Sequence, residues 1–179
     1  TFGMGDHPTT LLSTRALRRV VAPREGTHVL DVGCGSGVLA IAAIRFGAEH
    51  ADAIDISPAA ETMTNENAAR NGVADRVVAS TALLQEMVGP YDVVVANILA
   101  PTLVELSIEL LRVLGRDGSL IISGILADRH AHVLEALQPL RVVQVDELDG
   151  WAAVTLQRWR TRRPPRRAGS TAPLRRVWC

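Results

Sequence analysis

A chain of 179 residues has room for one well-buried domain and hardly for two. With 47% apolar and 21% charged residues it is composed like a soluble globular protein, and no apolar run approaches the roughly 20 residues of a membrane span. Its two cysteines, Cys34 and Cys179, exclude a disulfide framework and favour a reducing cytoplasm.

The body alternates strand-like apolar runs with amphipathic stretches, the pattern of a parallel sheet covered on both faces. The opening residues 1–10 are glycine-rich and polar and read as a loop able to close over a ligand, followed by a helix over 11–21. Residues 27–31 form strand one, closed by an acid, and 37–46 a helix stopped by Gly47. Strand two covers 51–55. Ser57 and Pro58 then open a helix that runs to Asn71-Gly72. Strand three is the short run 76–79 and strand four is 91–96, whose Val93-Val94-Val95 suits burial on both faces. One helix is expected over 101–114, stopped by Gly115, with a turn at Asp117-Gly118 and strand five over 119–123. A helix over 128–137 and two antiparallel strands, 141–147 and 151–157, complete the domain at residue 158.

Beyond it lies a tail of different character. Eight of the nineteen basic residues, all Arg, fall between Arg158 and Cys179, a stretch without acids. The body therefore carries eleven Arg against nineteen acids, and the zero net charge is a sum of opposites. The Pro-rich tail, residues 159–179, reads first as a disordered extension, with a weak contact to RNA or another polyanion as the functional alternative.

The strongest local signal is Asp31-Val32-Gly33-Cys34-Gly35-Ser36-Gly37, set between a strand and a helix, where open parallel sheets bind ligands. A dinucleotide fingerprint requires Gly-x-Gly-x-x-Gly, and Val38 stands where its third glycine belongs. Asp31 would repel a pyrophosphate and attract the ammonium and sulfonium of S-adenosylmethionine (SAM). Asp55 ends strand two, where doubly wound folds place a carboxylate for ribose hydroxyls. Asn97 leaves strand four at the expected position of the reacting methyl. Its amide oxygen could orient an attacking amine, and it could equally be a turn or helix N-cap residue. His7 is a candidate base or metal ligand, but no second ligand stands at a metal-like spacing, so no metal site is expected.

Taken in order, several segments resemble the catalytic domain of the ribosomal protein L11 methyltransferase family. They are Phe2-Gly3-Met4-Gly5-Asp6-His7-Pro8-Thr9-Thr10, the glycine loop, Asp55-Ile56-Ser57-Pro58, Glu66-Asn67-Ala68 with Asn71-Gly72, Asn97-Ile98-Leu99-Ala100, Ser123-Gly124-Ile125-Leu126 and Gly150-Trp151. The resemblance covers residues 1–158. It implies an α/β, Rossmann-like class I methyltransferase fold, with a mostly parallel seven-stranded sheet and helices on both faces. It further implies a cytoplasmic monomer that transfers methyl groups from SAM to lysine and N-terminal amines of ribosomal protein L11, releasing S-adenosylhomocysteine. By position, Phe2 and Thr9 would cover the cofactor, Gly33 and Gly35 support its methionine end, and Asp55 with Ile56 hold its adenosine. Asn97 would lie between cofactor and target amine.

Met4 and Asp6 depart from the family's loop, and the family's substrate-recruiting domain is expected to be missing before it. Two other readings remain open: a methyltransferase for another protein or a small amine, and a SAM-binding module without turnover.

Overall fold

The computed structural model describes residues 7–159. Phe2 and the Arg/Pro-rich tail from residue 160 onward, with its RNA reading, lie outside them. Seven strands build one sheet: β1 (His28–Val32), β2 (His50–Ile54), β3 (Val77–Ser80), β4 (Tyr91–Asn97), β5 (Leu114–Leu126), β6 (Arg141–Leu148) and β7 (Trp151–Gln157). Their order across the sheet is β3-β2-β1-β4-β5-β7-β6. The first five are parallel, and β7 runs antiparallel to both β5 and β6. A two-residue turn, Asp149-Gly150, with both residues at positive φ, joins β6 to β7. That is the type I′ pattern, whose twist matches paired antiparallel strands.

Strand alternation sorts the core into two halves. Val29, Val93, Val95 and Ile121 point to one face, beneath α1 (Pro8–Val21), α2 (Val38–Arg45) and α3 (Pro58–Arg70). Leu30, Val94, Ala96, Leu120 and Ile122 point to the other, which is covered by α4 (Ala100–Glu105), α5 (Ser107–Val113) and α6 (Ala131–Ala136). The valine run of β4 is continuous because both of its faces are buried. Among the described residues no helix is long and apolar enough to cross a membrane.

The structure differs from the sequence pattern in three places. Helix α1 begins at Pro8, so Thr9 and Thr10 are helical rather than part of an opening loop. His7 is its N-cap: Nδ1 accepts from the Thr9 N–H at 3.3 Å and lies 2.8 Å from Thr9 Oγ1. The helix expected over 101–114 is two helices broken at Leu106, where φ −87° and ψ 2° end α4 and start α5. Leu103 and Leu110, seven residues apart, are both buried in the core, and Leu114 lies past the second helix, paired with Tyr91. Finally, the first residue of the expected tail, Trp159, lies against the domain beside Arg158, the domain's last. The Arg158 guanidinium donates to the Leu111 carbonyl at 2.6 Å, and Arg141 lies over the Trp159 ring.

Candidate functional site

The chain runs β1-β2-β3 outward in one direction and then returns to place β4 on the other side of β1. At such a reversal the connecting segments diverge and leave a crevice at the carboxyl ends of the strands. Strand register brings those ends level: Val32 lies opposite both Ile54 and Ala96, and Asn97 opposite Ser123. Gly33, Asp55 and Asn97, distant in sequence, therefore arrive at one edge.

A cavity of about 500 Å³ occupies the crevice, within the range usual for small-molecule sites. One side is formed by Val32, Gly33, Ile54, Asp55 and Ile56, and the opposite side by Asn97, Ile98, Leu99, Thr102 and Leu106. Residues 82–85 close it beyond β3, and Gly124 contributes from β5. Ile56, Leu83 and Leu99 are more than half exposed around it. Large apolar side chains open to water at a polar-footed crevice suit a ligand with a flat, weakly polar part.

The glycine loop is held from several directions. The N–H groups of Gly33 and Cys34 both donate to the Ile54 carbonyl, at 2.8 and 3.0 Å. Gly35 N–H donates to Asp55 Oδ2 at 3.0 Å. From α3, Thr64 Oγ1 donates to the Gly35 carbonyl at 3.3 Å and Asn67 Nδ2 to the Ser36 carbonyl at 2.9 Å. Gly33 also permits close packing: a Cβ there would stand 2.4 Å from Ile98 Cγ2. Gly124 does the same from the other side, where a Cβ would stand 2.4 Å from the Ile98 carbonyl oxygen. Ile98 is thus wedged between two strand ends, which fixes where Asn97 leaves β4.

Three polar groups define the chemistry. Asp55 accepts from the N–H groups of Gly35 and Ser57, each at 3.0 Å, which orients its carboxylate and leaves each oxygen a second lone pair. Asp31 is buried beneath the loop and is not part of the cavity lining. Its Oδ2 accepts from the Ala40 N–H at 3.1 Å, while its buried Oδ1 has no hydrogen-bond partner among the described residues. Burial pushes the Asp31 carboxyl up to about 7; the Ala40 N–H opposes the rise and the neighbouring Asp55 charge adds to it. Asn97 Oδ1 is likewise buried and accepts no hydrogen bond among the described residues. Of these two oxygens only that of Asn97 belongs to a residue lining the cavity, where it suits a group that brings an N–H donor; the buried Asp31 carboxylate acts on the site through its field.

Of the residues singled out in the sequence, Gly33, Asp55, Ile56 and Asn97 line the cavity, and Gly35 reaches it through Asp55. Thr9 is fully buried on α1, where its carbonyl accepts from Ser13 Oγ and Ser123 Oγ, and it lies off the cavity wall. Sequence reading had no signal for residues 82–85, Thr102 or Leu106. Thr64 also went unread: it holds the loop from α3, a function with no local pattern. Among the described residues no group of three or more His, Cys, Asp or Glu side chains converges as a metal site.

Comparison with known proteins agrees with this geometry. Residues 1–159 match the family model described as ribosomal protein L11 methyltransferase (PrmA). A ribosomal protein L11 methyltransferase of Citrifermentans bemidjiense is 44% identical over 161 residues, which is 88% of this chain and 53% of the relative. The chain thus spans about half the length of the curated relatives it matches. The solved structure of ribosomal protein L11 methylase from Lactobacillus delbrueckii subsp. bulgaricus superposes with a TM-score of 0.80 at 36% identity, covering 86% of this chain and 80% of that one. An RNA methyltransferase from Salinibacter ruber, solved with S-adenosyl-L-homocysteine, shares the fold at a TM-score of 0.66 and 19% identity, covering 81% of this chain and 90% of that one.

Proposed function

Since the chain belongs to the ribosomal protein L11 methyltransferase family, we propose that its cavity binds SAM and that it methylates amino groups of ribosomal protein L11, lysine side chains and the N-terminal amine among them. With that acceptor the place of action is the cytoplasm, where ribosomes are made. The seven-stranded, mostly parallel sheet is the class I SAM-dependent methyltransferase fold.

The residues present fit that cofactor. Asp55, its carboxylate already oriented by two backbone N–H groups, accepts the ribose hydroxyls with its free lone pairs. Asp31, set beneath the glycine loop, acts through its field: a carboxylate in a poorly solvated site favours a cationic methionine end nearby. Bound there, SAM supplies a methyl group on a positively charged sulfur and leaves as a neutral thioether. The acceptor amine must arrive unprotonated, because only a free lone pair can form the new N–C bond. Asn97 Oδ1, which accepts no hydrogen bond among the described residues, accepts an N–H of that amine and turns the lone pair toward the methyl carbon. An amide oxygen is too weak a base to keep the amine's proton, which passes to solvent.

The orphaned Asn97 oxygen carries this reading. The test combines calorimetric SAM titration with methylation of purified L11. Asn97→Ala is expected to lower the methylation rate about 100-fold, the usual cost of lost positioning, while SAM affinity changes less than about threefold. Methylation that survives the substitution would make Asn97 structural. SAM binding by a wild-type chain that methylates no amine would mark a binding module instead.

A further inference from the structure

We propose that Arg112 is a positioning residue for the cofactor pocket: its guanidinium fixes the backbone of the loop after β3 and so sets the affinity for the base of the cofactor. This inference rests on the reading that the cavity takes SAM.

The strand order assigns that end of the cavity. Asn97 leaves β4, the glycine loop follows β1, Asp55 ends β2, and the wall of residues 82–85 follows β3. If the reacting methyl lies at Asn97 and the ribose at Asp55, the part of the ligand beyond the ribose faces the loop after β3. For SAM that part is the purine, a flat group bound through shape and apolar contact. Ala82, Leu83 and Leu84 offer apolar surface there. A flat ligand tolerates little error in such a wall, since dispersion contacts weaken steeply over a gap of 0.5–1 Å.

The wall has few supports of its own. Leu84 is anchored in the core, and Glu86 Oε2 accepts from the Leu83 N–H at 2.8 Å. Beyond the Ala82 N–H donating to Ser80 Oγ at 3.5 Å, one side chain from α5 ties the segment to other elements by hydrogen bonds among the described residues. Arg112 Nη2 donates to the Leu84 carbonyl at 2.9 Å and to the Gln85 carbonyl at 3.2 Å, and Nη1 donates to the Met87 carbonyl at 3.0 Å. Glu109 pairs with Arg112 Nε and holds the fork in that direction. Three carbonyls, of residues 84, 85 and 87, gathered by one planar group immobilise that turn of chain, which a lysine with its single nitrogen cannot fully reproduce. Arg112 itself is 42% exposed, whereas the packing of α5 comes from Leu110 and Val113, both fully buried. The clamp can therefore be removed without emptying the core.

The experiment uses the full chain with Arg112→Met, Arg112→Lys and Glu109→Gln, each checked by melting temperature. Hydrogen–deuterium exchange of residues 83–88 is measured without ligand, and S-adenosylhomocysteine, adenosine and SAM are titrated. Arg112→Met should speed exchange in that segment alone and weaken both S-adenosylhomocysteine and adenosine about fivefold, the scale of reordering a short loop. KM for SAM should rise by the same factor while kcat stays within about twofold, and Arg112→Lys should recover part of the affinity. Glu109→Gln, which leaves Arg112 in place, should show a smaller change in the same direction. Unchanged exchange would overturn the clamp, and faster exchange with unchanged affinity would overturn its link to the ligand. A fall in kcat at constant KM would also overturn it. A wild-type chain that binds none of the three ligands would remove the SAM reading and this inference with it, an outcome distinct from the others because it precedes any substitution.

Discussion

Asp31 is a residue whose environment changes its chemistry. An aspartate in water releases its proton near 3.9. In the folded chain burial raises that value to about 7. Between those two pH values the folded state holds a proton that the unfolded state lacks, so folding is weakened as pH rises from about 4 and the loss is complete above about 7. Asp31→Asn removes the titration and keeps an acceptor for the Ala40 N–H. Relative to the parent, the variant should gain stability from pH 5 to pH 8, by at most about 3 kcal/mol, the two units between pH 5 and about 7 at 1.36 kcal/mol per unit. Urea unfolding at both pH values measures this, and equal differences at pH 5 and pH 8 would place the raised value elsewhere. Binding should have the opposite slope. A cationic ligand favours the carboxylate, so SAM affinity should increase as pH rises through about 7 in the parent and stay flat in Asp31→Asn. The stability cost and the ligand preference have one cause, a carboxylate kept where water cannot solvate it.

At the scale of elements, the glycine loop depends on α3 as much as on its own sequence. Asn67 Nδ2 and Thr64 Oγ1 hold two successive loop carbonyls, and Asp55 holds the Gly35 N–H that precedes them. Asn67→Ala frees the Ser36 carbonyl and should lower stability by about 1 kcal/mol, the net value of one hydrogen bond. SAM affinity should fall with it, since the loop must then be ordered by the ligand; calorimetry with unchanged affinity would show that the loop keeps its shape unaided. Gly33→Ala tests the opposite limit. The added methyl meets Ile98 at 2.4 Å with the backbone at φ 74°, so overpacking and a left-handed alanine together should cost about 2–3 kcal/mol in urea unfolding. The break at Leu106 belongs to this scale too. A continuous helix would not present Leu106 to the cavity while Leu103 and Leu110 face the core.

At the scale of the whole molecule, the sheet holds two apolar halves together, and the site lies at the reversal of its strand order. A ligand seated there contacts residues following β1, β2, β3 and β4 and stabilises all of them at once. At 100 times its Kd, S-adenosylhomocysteine should add about 2.7 kcal/mol and raise the melting temperature by roughly 5–10 °C, whereas NAD should leave it unmoved. An equal shift with NAD would refute the preference drawn from Asp31 and Val38.

Much of this site could be read from the chain alone, for a physical reason. In a parallel sheet every strand delivers its carboxyl end to the same edge, so an acid, a glycine turn or an amide found after an apolar run is already assigned to that edge. That Gly33, Asp55, Ile56 and Asn97 meet at one edge of the sheet was legible in this way, as were the sheet and the helices on both faces. Gly35 followed from the same loop. Cross-segment contacts have no such local pattern. Thr9 looked like part of a covering loop, but it is folded into α1, because His7 and Pro8 start a helix whose inner face is buried. The reach of Arg112 across to residues 84–87, the grip of Thr64 on the glycine loop and the bend at Leu106 exist only once distant parts of the chain have packed. The order of local chemistry along the chain determined which residues meet at that edge; tertiary packing decided the walls that give the cavity its shape, because those walls are made by partners far apart in sequence.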